Sequence, residues 1–332
     1  MSISSRPTVS VIIPLYNKVD CLGRTIESVL SQDFKDFEIV VVDDGSTDGS
    51  VDIARAYSDR VGERFKFVTQ DRAGAGAARN RGIQLASGEF MAFLDADDIW
   101  IPEKLGRQVR FMEDHPDVAW CSTNYWVGKD DGSELPSAVP FEKASSEETW
   151  TVVDWFWAMA TGLISFQTSG VLLRRSVIDR AGVFDVTIPS GQDFDYWVRI
   201  AEITPQCGYF MAPCYTFSRD SLYSITSNEE RKYAGKVGML ARMMERSTRP
   251  TSSQAYQDLI RFVSIRMIRA SIAEGQPHVA RSILRSFPKH WRTPRYSGYL
   301  LLTYVPVPIL RLLRRFVGWI ASGLSGRRVA SI

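Results

Sequence analysis

Cysteine is scarce: the 332-residue chain has four, Cys21, Cys121, Cys207 and Cys214, with no CxxC pair and no zinc-ligand spacing. That excludes a disulfide framework and a structural zinc site, and reduced thiols in a cytoplasmic setting are expected. Acidic residues stop at Glu274. Residues 275–332 hold ten Lys and Arg and no Asp or Glu, so the overall +2 conceals a first section at −8. An acidic body with a basic tail points to an anionic surface as partner. The N-terminus lacks the basic, apolar, small-residue order of a signal peptide, so export is not expected. No apolar run is long enough for a membrane span: the uncharged stretch 296–310 is 15 residues with Pro306 and Pro308 inside it, against the ~20 a spanning helix needs.

What is present is a core-forming composition, 45% hydrophobic, enough for one large domain with an appendage or two modest ones. Short apolar runs alternate with helical periodicity. Val9 to Leu15, Glu38 to Val42, Phe65 to Thr69 and Phe90 to Leu94 read as strands; Cys21 to Gln32, Val51 to Tyr57 and Ala75 to Leu85 read as helices. This is the signature of a parallel sheet covered on both faces, whose ligands sit beyond the strand C-termini. Regularity fades after Asn124 and resumes with Trp150 to Phe156, a strand-like Gly170 to Leu173 and a helix over Gln192 to Ile203. Helix-forming residues dominate from Glu229 to Phe287, and Tyr296 to Leu324 is apolar and basic.

Two acidic clusters follow strands. Asp95-Ala96-Asp97-Asp98 ends the fourth and suits Mg²⁺ or Mn²⁺, because hard cations take carboxylate oxygens and bridge to phosphates; it equally suits capping of the helix opening at Pro102-Glu103. Asp43-Asp44-Gly45-Ser46 repeats the arrangement after the second strand, where Gly and Ser also serve a strand-to-helix turn. Gly74-Ala75-Gly76 opens like a dinucleotide fingerprint, but it follows the third strand and Arg79 replaces the third glycine, which rejects a Rossmann reading. A helix N-terminus carrying Arg79 and Arg81 suits a nucleotide or its phosphates; a solvated basic face is the alternative. Asp193, on the first turn of the 192–203 helix, serves either the helix dipole or proton abstraction from a hydroxyl.

The strings VSVIIPLYN (9–17), SVLSQ (28–32), FEIVVVDDGSTD (37–48), GAARNRGI (76–83), SGEFMAFLDADD (87–98), GVF (182–184) and GQDFDYWVRI (191–200) occur together in order. This succession resembles the family 2 glycosyltransferases, over about residues 7–220. The resemblance implies an α/β fold of GT-A type: a mostly parallel twisted sheet flanked by helices, with a helical C-terminal extension. It divides the chain into a catalytic domain at 1–228, with a nucleotide-sugar half at 7–124 and an acceptor half at 125–228, and a helical region at 229–332 ending in a basic amphipathic segment. It further implies that Pro14, Tyr16, Asp44, Arg79 and Asp95 bind the donor nucleotide, that Asp97 and Asp98 hold Mg²⁺ or Mn²⁺, and that Asp193 is the catalytic base. Gln192 stands where many members carry Glu. The loop at 219–226 lacks the histidine many relatives have there, leaving Arg219 and Ser224 as candidate diphosphate contacts.

The expected activity is inverting transfer from a nucleoside-diphosphate sugar, a UDP-sugar for preference, to a saccharide or lipid-linked saccharide in cell-surface polysaccharide synthesis. A non-catalytic nucleotide-sugar or saccharide-binding protein is the rival within the fold. A nucleotidyltransferase would want a glycine-rich phosphate loop after the first strand, where this chain has Pro14-Leu15-Tyr16-Asn17. Past Pro308, Leu312, Leu313, Phe316, Val317, Ile320 and Leu324 share one side of a helix and Arg311 and Arg315 another. That pattern suits either peripheral contact with the inner face of the cell membrane or packing on the catalytic domain. No nucleic-acid partner is expected, since no reader motif accompanies the charge.

Overall fold

The computed structural model describes residues 6–128, 134–136, 149–188, 190–218, 229–247, 253–273, 275–287 and 294–305. Its first part alternates strand and helix: β1 (Val9–Leu15), α1 (Leu22–Leu30), β2 (Phe37–Asp43), α2 (Ser50–Val61), β3 (Phe65–Thr69), α3 (Ala75–Leu85) and β4 (Phe90–Phe93). β5 (Ile99–Trp100) and α4 (Lys104–Asp114) follow, then β6 (Trp120–Gly128), β7 (Glu134–Pro136), β8 (Trp150–Asp154), α5 (Trp155–Thr161), β9 (Leu172–Arg174), α6 (Arg175–Ala181), α7 (Gln192–Ile203) and β10 (Gln206–Ser218). Four helices complete the described chain: α8 (Glu229–Ser247), α9 (Gln254–Ala273), α10 (Pro277–Ser286) and α11 (Pro294–Leu302).

One sheet runs through the molecule in the order β3-β2-β1-β4-β9-β6-β10-β5, with β7 on β6 and β8 on β10. The expected parallel arrangement holds for β3, β2, β1 and β4. At β9 the direction reverses, and β6 and β10 run parallel to each other beyond it. The curled sheet with helices on its faces is the expected α/β fold. Position 125, the boundary read from the sequence, lies inside β6.

Alternation along the buried strands sorts side chains into two cores. Val9, Val11 and Ile13 of β1, with Phe90 and Ala92 of β4, join α1, α2 and α4 on one face. Ile12, Met91 and Phe93 point to the other, against the aromatic residues of α5 and α7 and the helices α8 to α10. Helix α3 reaches that second face through Gly82: a Cβ there would lie 2.4 Å from Ile12 Cγ2, so only glycine permits this approach. Beside β6, the register of β10 shifts on either side of Pro213, which has no N–H to donate to the ladder. Asn124 bridges the irregularity, its Nδ2 donating to Met211 O at 3.0 Å.

Candidate active site

The loops following β1 and β2 are stitched to each other. Asn17, at φ +50°, donates its N–H to Ser46 Oγ at 2.9 Å and accepts from Thr47 N through Oδ1 at 2.8 Å. Lys18 N donates to Ser50 Oγ and Val19 N to Asp48 Oδ2. Asp43 closes its own turn by accepting from Gly45 N and Ser46 N. Asp44 faces the next loop: it accepts from Gln70 Nε2 at 2.9 Å, Ala73 N at 2.8 Å and Gly74 N at 2.7 Å. The two consecutive acids therefore have separate tasks, and Asp44 sets the shape of the approach to α3. Pro14 is half-buried at the end of β1, and the Tyr16 ring lies 4.2 Å beneath the Arg72 guanidinium.

The acids after β4 divide by environment. Asp95 Oδ1 pairs with the buried Arg79 at 2.5 Å, and its N–H donates to Ser169 Oγ at 3.0 Å. Asp97 Oδ2 pairs with Lys18 Nζ at 2.6 Å. Asp98 is buried, accepting from Ser169 Oγ at 2.5 Å and from Ser218 N at 2.9 Å. Burial, then the neighbouring Asp95 and Asp97, push its carboxyl well above the ordinary carboxylate range. Asp98 is thus buried against Ser169 and Ser218, whereas Asp95 and Asp97 stay partly exposed. Beneath this loop Trp100 Nε1 donates to Ser169 O, and the wholly buried Lys104 lies 3.9 Å over the Trp100 ring, with its Nζ donating to Gln108 Oε1 at 2.6 Å. Burial lowers the Lys104 ammonium to about 7.

Arg79 is where the two halves meet. Burial opposes its charge, but the carboxylates of Asp95, Asp193 and Asp97 outweigh that and hold it above its ordinary range. Its guanidinium lies 5.5 Å over the Phe184 ring. Phe184 is fixed in turn by Asn80, whose side chain donates to its carbonyl and accepts from its N–H, both at 2.8 Å. Asp193 stands on the first turn of α7, half-buried, with Phe194 N donating to Oδ1 at 2.8 Å. Its neighbour Gln192 packs on Gly76 at the start of α3, where a Cβ would come within 2.4 Å of Gln192 Oε1. Asp195, two residues on, is buried between Arg199 at 3.0 Å and Arg246 at 2.9 Å and is structural.

Pro14, Tyr16, Asp44, Arg79, Asp95, Asp97 and Asp193 all lie at the strand C-termini or on the helices facing them. Arg219 and Ser224 fall outside the described residues, as does the amphipathic segment beyond Pro308. Lys18, Gln70 and Ser169 were not legible as site residues; only the place of Lys18, directly after Tyr16-Asn17, hinted at it. Among the described residues no three His, Cys, Asp or Glu side chains form a ready-made metal cage. A cation shared with phosphate oxygens needs only one or two carboxylates, and Asp97 already draws a cationic group to its Oδ2. The Cys21 thiol, next to this pair, is raised to about 11 by burial and by Asp97.

The model of glycosyl transferase family 2 matches residues 10–176. The chain belongs to this family. The chain is 33% identical over 245 residues to a putative teichuronic acid biosynthesis glycosyltransferase, TuaG of Bacillus subtilis, covering 73% of the present chain and 90% of that one. It is 40% identical over 123 residues to WfaP of Escherichia coli, described as a UDP-Glc:alpha-D-GlcNAc-diphosphoundecaprenol beta-1,3-glucosyltransferase, covering 37% of this chain and 47% of WfaP. Matches to three other curated relatives span between 32% and 44% of their lengths. Among solved structures, Staphylococcus aureus TarS 1–349 in complex with UDP-GlcNAc superposes with a TM-score of 0.67 at 19% identity, over 85% of this chain and 82% of TarS. That likeness establishes the GT-A architecture of the enzyme.

Proposed function

We propose that the enzyme transfers a sugar, with inversion, from a UDP-sugar to a saccharide or lipid-linked saccharide acceptor. One observation carries this reading. Helix α3 joins the acids after β4 to the start of α7: Arg79 pairs with Asp95 at 2.5 Å, and Gly76, three residues before it, packs on Gln192, the neighbour of Asp193. The candidate donor-binding Asp95 and the candidate base Asp193 are thereby tied to one helix.

Pro14, Tyr16 and Asp44 would bind the nucleotide, with Asp44 holding the loop before α3 against it. Arg79 orients Asp95 for the ribose. Asp97 is the carboxylate best placed to hold Mg²⁺ or Mn²⁺, which when bound neutralises charge developing on the leaving diphosphate. Asp98, buried against Ser169 and Ser218, secures the loop that carries the other two acids. Asp193 accepts the proton of the acceptor hydroxyl as that oxygen attacks the anomeric carbon and the nucleoside diphosphate departs. One base and no enzymic nucleophile give a single displacement, hence inversion. The surroundings of the carboxylate support this: Phe194 N orients Oδ1, and no other hydrogen bond to Asp193 is made among the described residues.

The all-basic tail and the lipid-linked acceptor named for WfaP support an acceptor presented at the cytoplasmic face of a membrane, with the C-terminal region in peripheral contact. No helix among the described residues is long and apolar enough to cross one. A panel of nucleotide sugars, screened for thermal stabilisation with and without Mn²⁺, identifies the donor. With that donor, Asp193→Asn is expected to lower transfer by about 10²–10⁴-fold, the range of general-base contributions, while leaving UDP binding intact. Transfer at the wild-type rate by this variant would overturn the assignment.

A further inference from the structure

Helix α8 lies in the region after the catalytic domain, yet one of its faces is built against the segment that delivers Asp193. Gly235, Met239, Arg242 and Arg246 follow one another at intervals of four, three and four residues, the spacing of a single helix face. Each meets a different point between Asp185 and Glu202. At Gly235 the helix backbone abuts Ser190 so closely that a Cβ would lie 2.5 Å from Ser190 O and 2.6 Å from Ser190 N. Met239 Sδ would be 3.2 Å from a Cβ on Gly191, the residue at φ +84° that opens α7. Arg242 pairs with Asp185 and donates to Thr187 Oγ1 at 3.1 Å. Arg246 joins the buried Asp195 at 2.9 Å and Glu202 at 3.3 Å.

From the opposite side the same segment is held by Asn80 and by Phe184, whose ring lies 4.2 Å from that of Tyr196. Among the described residues, 185–188 and 190–191 belong to no helix or strand. Contacts from α8 at Gly235, Met239 and Arg242 therefore help set their position.

We infer that α8 is a positioning element for catalysis: by holding Asp185, Thr187, Ser190 and Gly191 it fixes the first turn of α7, and with it the place at which the Asp193 carboxylate meets the acceptor hydroxyl. Gly235 and Arg242 are its two positioning residues. The inference rests on Asp193 being the base. Gly235→Ala forces the helix away from Ser190, and Arg242→Met releases Asp185 and Thr187 while leaving the buried Asp195 cluster whole. Displacement by about an ångström suffices to lower a rate by up to about 10²-fold.

The test measures three quantities on the full chain and both variants. Amide hydrogen exchange over 185–195 is expected to rise by at least about tenfold in each variant, with the 70–80 segment unchanged. UDP affinity is expected to stay within about twofold, while kcat for UDP release from the UDP-sugar donor falls by at least about tenfold. Arg242→Lys, which keeps a cation for Asp185, is expected to recover most of the loss. If Gly235→Ala does not fold, the Arg242 pair alone decides. Unchanged exchange over 185–195, or raised exchange with unchanged kcat, or UDP affinity lost in parallel with kcat, overturns the role of α8. Asp193→Asn measured alongside separates the two ideas: if it alone abolishes turnover, the base stands and the clamp falls; if it retains turnover, the base assignment fails.

Discussion

Three acids in four residues carry three different burdens, and exposure decides which. Asp95 and Asp97 are partly open and paired with cations, whereas Asp98 is closed off beneath them. Asp97→Asn is therefore expected to abolish the effect of Mn²⁺ on UDP binding measured by titration calorimetry. Asp98→Ala is expected to lower stability instead, by about 1–3 kcal/mol, because it strands the Ser169 hydroxyl and the Ser218 amide. If Asp98→Ala kept its melting temperature and lost the Mn²⁺ effect, the roles would be reversed. Lys104 provides a second residue-scale consequence. Its ammonium titrates at about 7 in the folded chain, against roughly 10.4 in an unfolded one. Between those values the unfolded chain holds a proton that the folded chain lacks, so this group's contribution is complete above the unfolded value and is lost as pH falls to the folded one. Urea titrations should show wild-type stability rising relative to Lys104→Met from pH 7 to 10.

Packing of single elements explains both what could be read in advance and what could not. β1, β3, α3 and α7 agree with their sequence patterns to the residue: β1 is buried along nearly its whole length and reads as an uninterrupted apolar run, while α3 and α7 carry helical periodicity. β10 escaped notice since Gly208 and Pro213 break its pattern, and β6 because Ser122, Thr123 and Asn124 put polar residues into a buried strand. Site residues inside the recurring strings were legible. Lys18, Gln70 and Ser169 were not, for their roles depend on loops brought together from 26 to 79 positions apart. The resemblance implies a metal role for Asp98, but the sequence does not show that its carboxylate is buried against Ser169 and Ser218. The seat of α3 on β1 gives a direct check: Gly82→Ala places a methyl against Ile12, and such overpacking is expected to cost about 1–3 kcal/mol in equilibrium unfolding.

At the scale of the molecule, charge is segregated along the chain, with all of the last 58 residues' formal charge positive. The full-length enzyme is expected to co-sediment with anionic vesicles at low ionic strength, to release as salt screens the attraction, and to ignore zwitterionic vesicles. Failure to sediment at low salt would leave the tail a packing element. Sheet order has a different consequence, for synthesis. β1 to β4 are complete once residue 93 is made, but β5, only six residues later, pairs with β10, whose far end is residue 218. On the ribosome, then, the β4 edge waits for β9 at residues 172–174 and Trp100 waits for Tyr215, leaving both exposed to pairing with other nascent chains. A fragment ending near residue 125, which lacks both covering strands, is expected to aggregate where the whole chain does not.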